Sequence, residues 1–109
     1  MKTVRLRIRS ESQPETSYYV FVHLVDRESG EIVRQQDWLP ADGLRPTSGW
    51  RTGEYIVDPH RLDLAGLPAG SYRLVVGLYE PESLNRPIVS WQGVEQADRQ
   101  LVLREIELK

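Results

Sequence analysis

The chain has no cysteine, one methionine, one phenylalanine and only two lysines among its 109 residues. Without cysteine there is no thiol nucleophile, no disulfide and no thiolate-held zinc or iron–sulfur centre. That absence leaves the compartment open, because oxidising and reducing environments both tolerate it. No apolar run approaches the roughly 20 residues needed to span a bilayer, and no apolar leader follows the first residues. Excess charge of one sign is also missing. With 14 basic and 16 acidic residues the net charge is −2, which excludes a self-repelling disordered chain and a surface that is wholly a polyanion trap. The chain as given therefore reads as soluble, with no direct membrane insertion and no address of its own. Lysine is scarce because arginine outnumbers it twelve to two. A genomic base bias explains that ratio, and so does a surface that uses planar guanidinium groups for cross-strand ion pairs.

A helical period of 3.6 is absent as well, whereas a period of two recurs throughout. Val4, Leu6 and Ile8 alternate with Arg5, Arg7 and Arg9. Residues 17–26 are apolar on both faces, as suits an inner strand covered on each side, and the acidic turn closing at Gly30 returns the chain into a polar strand ending at Trp38. Residues 39–53 carry prolines and glycines without periodicity and form an unusually long connection. Residues 54–58 and 61–64 are expected as two short strand pieces, broken at Pro59, which has no N–H to donate and belongs at an edge or bulge. Residues 71–79 form the strongest strand, 87–91 a short one, 93–98 a loop and 101–108 the last strand, with a change of facing near Arg104. Seven to eight short strands with regular turn signals predict an all-β, antiparallel, immunoglobulin- or fibronectin-like β-sandwich over a single domain, 1–109, with a closed barrel as the architectural alternative. The segment Leu67-Pro68-Ala69-Gly70-Ser71-Tyr72 favours the sandwich. It resembles a tyrosine corner, in which the Tyr72 hydroxyl bonds back to the preceding backbone.

Four stretches taken in order resemble a known bacterial domain. They are the runs from Val20 to Asp26, from Gln36 to Pro40, from Pro46 to Glu54, and from Ala69 to Tyr79. The series is similar to the soluble β-domain at the C-terminal end of multi-pass membrane glycosyltransferases of the dolichyl-phosphate-mannose-type superfamily, frequent in Chloroflexi and cyanobacteria. The resemblance runs from about Val20 to Tyr79, with a weaker echo over 101–108. It implies an extracytoplasmic appendage whose parent protein performs catalysis in a membrane portion that these residues do not include. The stretch is then expected to be either an excised fragment or a stand-alone relative.

Few residues carry chemistry. His23, in mid-strand, is a candidate general base because imidazole titrates near neutrality, with Asp37 as its acid. The plainer reading is a half-buried histidine hydrogen-bonded across the sheet. No nucleophile elbow accompanies it. Asp58-Pro59-His60, with Asp37 and Asp63, is the nearest approach to a metal constellation, but ligand spacings are absent and solvated turn acids are the expectation. Arg5, Arg7 and Arg9 form a basic stripe that invites phosphates. A solvated face paired with Glu105 and Glu107 is the plainer account, since no aromatic is interleaved in that strand. Trp38 and Trp50 bracket the long loop, and Trp91 lies near the second one. They are either sugar-stacking platforms, joined by Asp42, Arg45, Thr47 and Arg51, or anchors packed beneath their loops. The sequence thus points to a non-catalytic module, with no cofactor, metal or nucleic-acid partner. Its expected roles are scaffolding against the membrane portion of a parent enzyme or binding a glycan or polymer acceptor. The alternatives are a protein-interaction domain and a small stand-alone enzyme using His23.

Overall fold

The period-two patterning becomes eight strands in the computed structural model, which describes residues 2–14 and 16–109. They are β1 (Lys2–Arg9), β2 (Tyr19–Asp26), β3 (Ile32–Trp38), β4 (Tyr55–Leu62), β5 (Gly70–Tyr79), β6 (Ser90–Trp91), β7 (Val94–Glu95) and β8 (Leu101–Leu108). All ladders are antiparallel. The sheets are a β1–β4 pair, a four-stranded sheet in the order β3-β2-β5-β8, and a small β6–β7 ribbon. The pair lies over the four-stranded sheet, and the architecture is a β-sandwich. Among the described residues, no helix is long and apolar enough to cross a membrane.

Alternation decides what fills the space between the layers. Val4 and Leu6 from β1 and Leu62 from β4 meet Val20, Val22 and Leu24 from β2 and Tyr72, Leu74 and Val76 from β5. Each fully buried aliphatic side chain of this kind contributes about 1.5–3 kcal/mol relative to exposure. The second face of β2 is covered too. Phe21 is buried there against Gly77, where an added Cβ would stand 2.5 Å from the ring, and under the Arg86 guanidinium, 4.8 Å from the ring centroid. This is why residues 17–26 are apolar on both faces.

Local signals place the turns. Asp26 Oδ1 accepts from the N–H of Glu28 at 2.8 Å, and Gly30 takes φ 76° to close the β2–β3 hairpin. The Tyr72 hydroxyl donates to the Pro68 carbonyl at 2.7 Å, which is the expected tyrosine corner. A register shift between Leu74 and Val75 leaves Leu103 unpaired in β8 and changes the strand's facing at Arg104, as its sequence pattern predicts. Two expectations are corrected. β4 runs unbroken through Pro59, because the strand is paired on one side only and a residue lacking an N–H fits an open edge. The stretch 93–98 is not wholly loop, since Val94–Glu95 pairs with Ser90–Trp91.

Candidate functional site

The long connection between β3 and β4 is held by its own residues. Trp50 is 3% exposed, and its indole Nε1–H donates to the Arg45 carbonyl at 2.8 Å. Thr47 is fully buried. Its hydroxyl donates to the Thr16 carbonyl at 2.6 Å and accepts from the Tyr18 N–H at 2.9 Å. Arg45 pairs with Glu54. Trp50 and Thr47 therefore anchor the loop, and neither presents a surface to a ligand. Arg51 is exposed at the far end of the same loop, and the side chain of Asp42 lies outside the described residues.

Trp38 has the opposite placement. It is 43% exposed, at the end of β3, with its ring centroid 5.6 Å from Tyr19 and tilted by 55°. Gly43, at φ 85°, lies close to the indole edge, where an added Cβ would stand 3.7 Å from the ring nitrogen. The indole thus packs against two neighbours while much of its surface stays open. It forms one wall of a cleft of about 520 Å³ along the open edge of β4, a volume in the range of small-ligand sites. Thr3, Arg5, Gln36, Leu39, Pro59 and Arg61 line the rest, with Asp58 and His60 at its inner side.

Asp58 and His60 replace Ile-type residues on the inward face of β4, between Ile56 and Leu62. They are not solvated turn residues: His60 is 2% and Asp58 1% exposed. His60 Nε2 is 2.6 Å from Asp58 Oδ2, and its Nδ1 faces the side-chain oxygen of Gln36 on β3. Asp58 Oδ1 accepts from the Ala41 N–H at 2.8 Å. The network joins β4 to β3 and to the loop, and every polar atom buried in it has a partner, as a dry interior requires. Both ring nitrogens of His60 are engaged, so the imidazole has no free lone pair to offer a substrate.

A second Asp–His pair lies on the outer face of the four-stranded sheet. His23 Nε2 is 3.1 Å from Asp37 Oδ1, and the Tyr79 hydroxyl donates to Asp37 Oδ2, also at 3.1 Å. Burial holds the His23 imidazole below its ordinary value of 6.5. The charge and hydrogen bond of Asp37 oppose that shift, and the charge of Arg86 reinforces it. The neutral ring then donates through Nε2 to Asp37. Burial and the same carboxylate push the Tyr79 hydroxyl up to about 12. His23 is also packed against Phe21, with ring centroids 4.6 Å apart. The arrangement is a half-buried histidine bonded across three strands.

The structure does not bring the sequence-predicted binding residues together. Trp38 faces the cleft, Trp50 and Thr47 lie inside the loop, and Trp91 stands 49% exposed on the separate β6–β7 ribbon. Gln36 is a companion of Trp38 that sequence reasoning missed, although period-two alternation places both on one face of β3. No group of three or more potential ligands able to hold a metal ion occurs among the described residues. The arginine stripe is also repositioned. β1 neighbours β4 rather than β8, so Glu105 pairs with Arg27 and Arg73 instead, at 3.4 and 3.5 Å. No protein-family model matches the sequence, and neither curated proteins nor solved structures gave a match.

Proposed function

We propose that this chain is a non-catalytic, extracytoplasmic glycan-binding module, serving a membrane glycosyltransferase of the kind its sequence resembles. The single observation that carries the binding role is the cleft walled by Trp38. An indole packed against Tyr19 and Gly43 yet 43% exposed is a preorganised apolar platform, and Gln36, Thr3, Arg5 and Arg61 supply hydrogen-bonding groups around it. A sugar ring has the matching chemistry: an apolar face of C–H groups and a rim of hydroxyls. A binding role rather than a catalytic one is supported by His60, which has both ring nitrogens occupied in a buried network.

Isothermal titration of the protein with a panel of neutral oligosaccharides tests the reading. Saturable binding by the wild type and its loss in Trp38→Ala are expected, with Trp91→Ala binding as the wild type does. Binding that survives Trp38→Ala, or that depends on Trp91 alone, would place the platform elsewhere and overturn the assignment of this cleft.

A further inference from the structure

The outer face of the β1–β4 pair carries a row of positive charge that the fold itself leaves unexplained. On an antiparallel pair, arginines are ordinarily matched by acids directly across the ladder. Here the partners of Arg5, Arg7 and Arg9 are Pro59, Val57 and Tyr55, and the partner of Arg61 is Thr3. None of these partners is acidic, although the chain as a whole has more acids than bases. Glu105, one of the two acids expected opposite the stripe, is taken up by Arg27 and Arg73, and Glu107 lies beside Ser71 on the same four-stranded sheet. Among the described residues, the one ion pair within the row is Arg9 with Glu11, at 3.4 Å and exposed on both sides.

The row is also shaped. Alternate residues of a strand stand roughly 6.6–6.8 Å apart, so Arg5, Arg7 and Arg9 leave the backbone at a regular interval along one face of β1. Arg7 lies 4.2 Å from the centroid of the Tyr55 ring and Arg9 lies 6.0 Å from it, which restrains long side chains that would otherwise be free. At its other end the row runs into the Trp38 cleft, since Arg5 and Arg61 line both. We infer that the cleft and the row Arg61, Arg5, Arg7 and Arg9 form one track for an acidic polysaccharide, a sugar chain bearing carboxylate or phosphate groups at intervals. This rests on the glycan-binding reading of the cleft. Guanidinium forks suit both kinds of oxyanion. Nucleic acid fits less well, because bases bind by stacking on open aromatic faces and Arg7 already covers a face of Tyr55, the aromatic of this ladder.

Affinity electrophoresis of the folded chain in gels containing polygalacturonate, a glycosyl-phosphate polymer, an uncharged glucan or single-stranded DNA tests this. At least one of the two acidic sugar polymers is expected to bind about tenfold or more tightly than the uncharged glucan at low salt, and to lose that margin as salt rises. The two acidic polymers identify which oxyanion the row prefers. In the double variant Arg7→Gln, Arg9→Gln, whose positions lie outside the cleft, the margin disappears while uncharged-glucan binding persists. Equal binding of acidic and uncharged polymers, or a double variant that behaves as wild type, overturns the inference and leaves the cleft reading intact. Single-stranded DNA held as tightly as the acidic polysaccharides also overturns it. Charge-dependent binding that is insensitive to Trp38→Ala, with no uncharged glucan bound, refutes the cleft reading and with it the single track, leaving the row as an independent polyanion site.

Discussion

Trp38 and Trp50 bracket the same connection, and the fold uses them in opposite ways. Trp50 closes the loop from within: its ring is buried, and its N–H is spent on the Arg45 carbonyl five residues back. Trp38 ends β3 on a face where no strand covers it, with Tyr19 and Gly43 packed against it and the open edge of β4 leaving a cleft in front of it. The residue type is the same, so the difference comes from what lies opposite. A loop of this length needs an internal anchor, and one tryptophan meets that need, which leaves the other free to face solvent.

This division predicts a steep order of effects. Trp50→Ala removes the buried anchor and is expected to cost about 3–5 kcal/mol, read from the urea midpoint of unfolding. Asp58→Ala belongs to the inner side of the cleft rather than its wall. It leaves His60 buried without its carboxylate and the Ala41 N–H without an acceptor, a loss of about 3–5 kcal/mol that falls toward the lower end if water enters the space. Trp38→Ala is the counterpart that sharpens the comparison: under about 1 kcal/mol in the same assay, since the ring is half exposed, together with loss of glycan binding. A Trp38→Ala protein as unstable as Trp50→Ala would erase the distinction between platform and anchor.

The smallest effect concerns pH and the other histidine. Because the folded His23 pKa lies below its unfolded value of 6.5, the unfolded chain binds more protons between the two values. His23 therefore contributes a pH dependence in which stability is highest above 6.5 and falls as pH drops through the window below it. Urea midpoints at neutral and mildly acidic pH measure this, and His23→Asn, which keeps an N–H donor for Asp37, should flatten the slope in that window.

Much of the sandwich was legible because period two is a local signal. Val4 and Leu6, Val20, Val22 and Leu24, and Tyr72, Leu74 and Val76 all face inward as alternation requires, and the corner at Tyr72 and the facing change at Arg104 were readable from short motifs. The cleft was much less legible, for two physical reasons. Pro59 reads as a break, and breaking β4 there hides the alternation Ile56, Asp58, His60, Leu62 that marks Asp58 and His60 as inward-facing partners. Strand pairing is non-local as well: nothing in the stripe Arg5, Arg7, Arg9 says that Tyr55 rather than Glu105 will lie beside it. The half-buried pair of His23 and Asp37 was the exception. Both residues sit on adjacent strands joined by a tight hairpin, so a short-range argument reaches them.

The most direct test uses Trp38 as its own reporter. In the variant Trp91→Phe, with Trp50 retained as the buried anchor, tryptophan emission is followed while a saccharide that binds the wild type is added. A saturable change in emission that tracks the calorimetric isotherm, and that vanishes when Trp38→Phe is added, is the predicted result. Calorimetric binding with no change in emission, or a change that persists without Trp38, would contradict the claim that the sugar lies against this indole.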